Sequence, residues 1–520
     1  MFAPNFATKT YLIDKCGYPV HSWTSIYQPG QSVYLLENGT LLRTGRVNNS
    51  TFTSGGSGGI IERSDWNSNL LWSYTISSTT ECQHHDIKIL PNGNVLAIAW
   101  ELKTVVQATS AGRNPALLGV SLWSEKIVEV HPTGATTGTI VWEWHVWDHL
   151  VQDFDITKPN YGIVADHPEL LNVNYNAGTT TDWMHCNGLD YNAALDQIII
   201  SSHNWNELWI IDHSTTTAEA ASHAGGVHGL GGDILFRWGN PATYNRGTTT
   251  DKKLFGQHNP RWIESGYPDA GNIMVFNNGL QRPAGAYSSV DIIAPPVDVN
   301  GDYSIIPNQP YQPDSAYWSY VAPIPTSFYG MNISGSQRLS NGNTIICEGP
   351  KGNLFEIDTA MNIVWKYVNP VSQNGTILTQ GVTPTQNSVF RCTLYEPSYA
   401  GLTGQTLTPG NPIELNPLAY TCNMLTGINE IGEQTNSFFI IQNPFYDHIL
   451  MYSKIDINNA YITLMDPSGR IIENWRGVSL NADSKSIFTI KNSIAPGVYL
   501  LFVKTEKEIY TAKIVHLSEN

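Results

Sequence analysis

Charge is the scarcest feature of this chain. Only 14% of its 520 residues are Asp, Glu, Lys or Arg, against roughly 25% in an average soluble protein. Bases are scarcer still: 28 Lys+Arg face 44 Asp+Glu, a formal net charge of −16. An acidic surface repels phosphates and argues against nucleic acid as a partner. No apolar run approaches the ~18 residues of a membrane-spanning helix, so no transmembrane segment is expected. The start, Met1-Phe2-Ala3-Pro4-Asn5, lacks the basic and apolar stretches of a signal peptide, so a mature fragment or a trimmed start is expected. Six scattered cysteines include no CxxC pair, which argues against a structural zinc site or a thioredoxin motif. One disulfide, Cys392–Cys422, and free buried thiols remain alternatives. Gly55–Gly59 lacks the Lys-Ser/Thr of a P-loop, and neither HExxH nor a nucleophile-elbow serine is found.

Aromatics and glycine are plentiful: 16 Trp, 25 Tyr and 44 Gly. With so little charge, this is a composition for turn-rich, sheet-rich packing. A tryptophan near the end of an apolar strand recurs at Trp23, Trp72, Trp142/Trp144, Trp238, Trp318 and Trp365. A short strand precedes each one. Before those lie two more strands, joined in three cases by Asn-Gly (38–39, 92–93, 341–342), read here as a φ > 0 pair in a two-residue hairpin. The unit is four antiparallel strands, seen six times, with insertions at 103–120, 145–180 and 213–231. This predicts an all-β six-bladed β-propeller over residues 1–425. The N-terminal segment is expected to supply the last two strands of its blade, and Asn387–Leu394 the missing partners.

A small β pattern occupies 436–520, with strands expected at Phe438–Gln442, Ile449–Ile455, Ala460–Met465, Ser486–Ile490, Val498–Lys504 and Thr511–Leu517; it predicts a β-sandwich. Leu415–Thr426 reads as a connector. Residues 431–520 hold 8 Lys+Arg and 9 Asp+Glu, leaving 20 and 35 in 1–430, so the acidity belongs to the larger part. Asn443-Pro444-Phe445, Asp466-x-x-Gly469-Arg470, Pro496-Gly497-x-Tyr499 and Lys513-Ile514-Val515 make this module resemble the C-terminal sorting domain of type IX secretion cargo. That resemblance implies the type IX secretion machinery as a partner and a secreted or cell-surface location in a Gram-negative bacterium.

Four of the 15 histidines sit at related places in the repeat. His85 lies seven residues before Asn92, as Gln31 does before Asn38 and Ser334 before Asn341. His185 and His258 precede the first strands of the next two units, and His203 ends a second strand. Strand starts and hairpin-partner ends share a rim, so all four imidazoles are expected at one mouth of the central channel. His84 is expected to point away and be structural, as are His131, His145, His149, His213, His223 and His228.

The stretches His84-His85-Asp86, Leu90-Pro91-Asn92-Gly93-Asn94, Asp182-Trp183-x-His185, Ser201-Ser202, Gln257-His258 and Gly335-x-Gln337-Arg338-Leu339 resemble the arylsulfate sulfotransferase family, a six-bladed propeller family. The resemblance implies transfer of a sulfuryl group from a small aromatic sulfate donor to a phenolic acceptor, through a transiently sulfated histidine and without a nucleotide or other cofactor. His258 matches the nucleophile; His85 and His185 match supporting histidines. His203 stands where the family carries an arginine, and Arg46, Arg338 and Arg261 are candidates to restore that charge. Trp100, Trp205 and Asn187 are further candidate substrate contacts. Two other classes remain: a redox or hydrolytic metalloenzyme with His85, His185, His203 and His258 as ligands, and a non-catalytic surface binding protein.

Overall fold

Strands build nearly the whole molecule, and the computed structural model describes residues 1–175, 181–417, 438–440, 445–453, 455–466, 470–491, 494–505 and 509–516. Two compact units are formed, Met1–Thr421 and Cys422–Asn520.

Among the described residues, the first unit holds six four-stranded antiparallel sheets, each in simple meander order. Their innermost strands are Val389–Cys392, Pro29–Leu35, Glu81–Ile89, Cys186–Asn192, His258–Trp262 and Gly335–Arg338. Each packs on the next and the last returns to the first. A ring of four-stranded sheets is the arrangement of a β-propeller. Packing on both faces explains why inner and middle strands such as Gln197–Ser202 and Glu207–Asp212 are buried at every position. Outermost strands such as Leu70–Thr75 bury only part of their length.

The ring closes differently from expectation. Phe2–Pro4, Lys9–Ile13 and Pro19–Thr24 give three strands of the first sheet, not two, and Val389–Cys392 adds only the innermost. The short Phe2–Pro4 segment lacks visible alternation, and its pairing with Val389–Cys392 settles its role.

The Asn-Gly turns also differ. Only the glycine has positive φ: Gly39 at 79°, Gly93 at 86° and Gly342 at 85°. Gly39 N–H donates to Leu36 O and Leu36 N–H to Thr40 O, a pattern repeated at Leu90–Asn94 and Leu339–Asn343. This is a three-residue loop, a type I turn closed by a glycine bulge. In each loop the asparagine Oδ1 accepts the N–H two residues on, at Thr40, Asn94 and Asn343, which holds Asn in the right-handed region.

The recurring tryptophan lies on the outermost strand of every sheet in the ring, and its indole N–H explains the recurrence. Trp72 donates to Thr137 O (3.0 Å), Trp142 to Thr215 Oγ1 (3.1 Å), Trp238 to Pro313 O (2.7 Å) and Trp365 to Lys15 O (2.6 Å). Each acceptor belongs to the following sheet or the insertion beside it. Trp318 instead receives the Arg338 guanidinium of the following sheet over its ring. Trp23 packs edge-on against Trp66 of the second sheet.

The second unit has a three-stranded sheet (Phe438–Ile440, His448–Ser453, Ser484–Thr489) and a four-stranded one (Ile471–Leu480, Ile457–Met465, Gly497–Lys504, Ile509–His516). Ile449, Met451 and Phe488 of the first share one core with Ile462, Leu464, Leu501 and Val503 of the second. Ile471–Leu480 was not expected as a strand; most of its side chains are exposed or half-buried, so it shows no strong alternation. Gln442, Leu517, Asn443-Pro444, Pro467–Gly469 and the connector from residue 418 onward lie outside the described residues.

Cys82, Cys186, Cys347 and Cys392 are free and buried, and Cys16 is the disulfide-bonded one. The expected Cys392–Cys422 bond is therefore not formed. Cys392 lies on the innermost strand at the seam, packed with Cys347, Val371 and Val389. Cys422 is outside the described residues.

Candidate active site

The site is built by a repeated kink in the innermost strands. His85 (φ 49°), His185 (φ 52°) and Asn259 (φ 53°), next to His258, take left-handed backbone, as do Gln31 (φ 106°) and Ser334 (φ 89°) at matching positions. Pairing register breaks there, between Gln83 and Ile87, Cys186 and Gly188, and His258 and Arg261. Such a bulge re-aims a side chain that regular pleating would send to a neighbouring sheet. Left-handed backbone at a non-glycine residue costs about 1–3 kcal/mol and clusters at functional sites. His85 thus sits inside its strand Glu81–Ile89, not at its start.

The four predicted imidazoles are brought together as an arc. Ring centroids are 4.8 Å apart for His85–His185, 5.4 Å for His185–His203 and 5.5 Å for His203–His258, each pair edge to face. Phe390 of the seam strand lies 6.0 Å from His85 and 6.5 Å from His258, opposite the arc. His203 N–H donates to His185 O, which ties the two rims of one hairpin together.

Hydrogen bonds assign the protons. Asn278 Nδ2 donates to Gly330 O and Ile333 O, so its Oδ1 faces His258 Nδ1 at 2.9 Å. An amide oxygen only accepts, so His258 carries its proton on Nδ1. The lone pair lies on Nε2, which accepts weakly from Ile333 N–H (3.2 Å). His185 Nδ1 meets Asp182 Oδ2 at 2.5 Å, and Trp100 Nε1 donates to Asp182 Oδ1. His84 was expected to be a structural bystander. Instead its Nδ1 meets His85 Nδ1 at 2.8 Å and its Nε2 meets Glu125 Oε2 at 2.8 Å, forming a buried chain Glu125–His84–His85. Glu125 Oε1 accepts from Cys186 N–H, beside His185.

Burial, reinforced by the positive charge of its neighbours, holds His85 and His258 well below the ordinary histidine range. Burial also depresses His203, to about 4, with His185 adding to the effect. His185 goes the other way: burial opposes its charge, but the Asp182 carboxylate overrides burial and raises it. Burial and the nearby Asp182 charge push Glu125 well above the carboxylate range. The arc therefore sets one ring whose charged form is favoured, His185, among three whose neutral form is favoured.

Other predicted residues fall elsewhere. Trp100 is fully buried and stacks on His84 (3.9 Å), backing the relay and not facing a ligand. Trp205 lies in the hydrophobic core with Trp183 and Trp209. Asn187 Nδ2 donates to Gln257 O and so steadies the backbone leading into His258. Arg338 bonds Gly342 O, Thr344 Oγ1 and Asp269 at the far end of its strand, a brace remote from Ser334 and the rim. Arg261 pairs with Glu264. Arg46 lines a cavity of about 410 Å³ with Tyr27, Phe52 and Ser57. Phe52 and Ser57 flank Gly56, the residue that covers His85: Gly56 O accepts from His85 N–H, and a Cβ on Gly56 would lie 1.9 Å from the imidazole. The cation sequence reading missed is Arg391. Buried on the seam strand, it pairs with Asp86 (2.8 Å), lies over Phe390 and lowers His258 further. A cavity of about 950 Å³ opens at the opposite strand ends around Tyr34, Lys88, Asp190 and Tyr395. The histidine arc is the better candidate for chemistry, because it groups neutral imidazoles, a carboxylate-paired imidazole and a buried arginine.

The family model for arylsulfotransferase (ASST) matches residues 22–391, most of the chain and every residue of the arc. The chain belongs to the arylsulfotransferase family. No curated protein matches the chain. Among solved structures it is similar to virginiamycin B lyase from Staphylococcus aureus in its inactive H270A form with quinupristin (11% identity, 70% of this chain and 74% of that one, TM-score 0.30). It is also similar to the periplasmic gluconolactonase PpgL of Pseudomonas aeruginosa (9%, 94% and 98%, TM-score 0.37). A third is PorZ, a surface component of the type IX secretion system of Porphyromonas gingivalis (10%, 98% and 73%, TM-score 0.22).

Proposed function

We propose that this arylsulfotransferase is a six-bladed propeller enzyme that moves a sulfuryl group between phenols through a sulfohistidine on His258. The observation that carries the proposal is the Nδ1–H tautomer of His258, fixed by Asn278, which leaves the Nε2 lone pair on a neutral ring. Nε2 attacks the sulfur of the aryl sulfate; the N–S bond forms as the S–O(aryl) bond breaks. The leaving phenolate takes a proton from His85 Nε2. His85 recovers one at Nδ1 from His84, and His84 recovers one at Nε2 from Glu125, so no imidazolium forms on the relay. Attack by the acceptor phenol returns the proton along the same chain and frees His258. The His185 imidazolium, held by Asp182, stabilises the sulfuryl oxygens. It supplies the charge that the neutral His203 does not.

The test is turnover. The protein incubated with 4-nitrophenyl sulfate and a phenol is expected to release nitrophenolate and form the new aryl sulfate, and His258→Ala is expected to abolish both. Full activity in His258→Ala, or no turnover of several donors by folded wild type, would reject the reading. The C-terminal module, read as a sandwich, is proposed as a type IX sorting domain that directs export to the surface of a Gram-negative bacterium. Its support is the set of sequence motifs alone. Secretion of a reporter fused to residues 436–520 in a type IX-competent host, and its loss in a secretion-deficient one, tests this.

A further inference from the structure

Outside the arc, His149, His223 and Asp233 form a second cluster, where insertions follow the outermost strand of the third sheet and precede that of the fourth. Among the described residues, this is the one group of three such side chains whose ligand atoms all lie within 4.8 Å of one another. His149 Nδ1 is 2.7 Å and His223 Nδ1 2.8 Å from the same oxygen, Asp233 Oδ1.

The protons at His149 leave this contact unbalanced. His149 Nε2 lies 2.8 Å from Ala220 O, and a carbonyl only accepts, so the ring proton is on Nε2. A neutral His149 then points its Nδ1 lone pair at a carboxylate lone pair. Two acceptors at hydrogen-bonding distance repel unless a cation, a second ring proton or a metal ion, lies between them. His149 and Asp233 are buried, whereas His223 is 59% exposed in its side chain. The fully buried ring is locked by stacking on Trp144 (5.5 Å, 7°), whose indole donates to Gly232 O. A metal-binding imidazole characteristically has its other nitrogen engaged by a carbonyl, which fixes the tautomer. The exposed side offers an entry path and a position for water.

We propose that His149, His223 and Asp233 bind one divalent transition-metal cation of the zinc class. Two imidazole nitrogens, one carboxylate oxygen and a water complete a tetrahedral site. Bonds of about 2.0–2.1 Å require the three ligand atoms to part by roughly half an ångström, which takes rotation of the exposed His223 and of the Asp233 carboxylate, the His149 ring staying fixed by Trp144 and Ala220 O. The ion pins the 213–231 insertion, which carries His223 and Ala220, to His149 of the neighbouring sheet. This proposal does not depend on sulfuryl transfer.

The full chain, untagged and stripped with chelator, is titrated with Zn²⁺ by calorimetry and with Co²⁺ by visible absorption. We expect one equivalent, tetrahedral Co²⁺ bands and a rise in melting temperature with Zn²⁺. His223→Ala, at an exposed position that leaves folding intact, is expected to weaken binding by about a hundredfold and to abolish the bands and the rise. His203→Ala in the arc is expected to change none of these. Absence of binding by wild type, or equal binding by His223→Ala, overturns the proposal. Loss of the equivalent in His203→Ala also overturns it, by assigning the ion to the arc.

Discussion

At the residue scale, the arc shows how one residue type takes different protonation states. His85, His203 and His258 are neutral because burial is not compensated by a carboxylate on the ring. His185 is charged because Asp182 is 2.5 Å away. The two effects have opposite signs, and the carboxylate wins at this distance. In Asp182→Asn the main group opposing burial at His185 is lost, so its titration moves down. The proposed sulfuryl transfer needs His258 neutral, which burial favours to below the ordinary histidine range, and His185 charged, which fails as pH rises through its raised value. The wild-type pH–rate profile is therefore expected to fall on its alkaline side. Asp182→Asn is expected to move that limb to lower pH and reduce kcat tenfold or more at pH 7.5. An unmoved alkaline limb would show that His185 is not the titrating cation. Sequence alone brought the four histidines to one rim by their offsets from the turns. It did not show His84, Glu125 or Asn278 as partners: Glu125 and Asn278 are 41 and 20 residues from the rings they meet, and His84 meets His85 at a bulge that strand alternation does not anticipate.

At the element scale, the bulged innermost strand is the device that makes a site from a repeat. Five of the six sheets place a left-handed residue at or beside the start of this kink, Gln31, His85, His185, Asn259 and Ser334, and two of these are histidines. The loop around Gly56 closes over one of them. Gly56 has φ 86°, and any Cβ there would collide with the His85 ring. Gly56→Ala is expected to displace the loop or the ring, cutting kcat for aryl sulfate turnover by about tenfold or more. The change lies in a surface loop, so the melting temperature is expected to fall by only a few degrees. Near-wild-type kcat would remove the loop from the site. The tryptophan pattern was legible as a repeat, but its purpose was not. A strand-end indole reads as core packing until its N–H is seen to cross to the next sheet.

At the scale of the whole molecule, ring closure joins residues hundreds of positions apart. Val389–Cys392 pairs with Phe2–Pro4, and Trp365 donates its indole N–H to Lys15 O across the same seam. Trp365→Phe keeps most of the ring but leaves Lys15 O without this donor. It is expected to destabilise the first unit by about 1 kcal/mol, read as a lower denaturation midpoint with an unchanged slope. An unchanged midpoint would show that the seam is held by strand pairing alone. The sequence by itself determined the all-β character, the six tryptophan-marked repeats and the histidine positions. These follow from local alternation, turn chemistry and offsets within one repeat, all of which act over a few residues. Only the tertiary structure decided the three-strand start of the first sheet, the free Cys392, the depressed titration of His203, the raised one of His185 and the hydrogen-bonded chain through His84. Each depends on which distant groups share a buried, low-dielectric space, where a carboxylate a few ångströms away sets the charge of a ring. That proximity is a property of the closed ring and is written in no single stretch of chain.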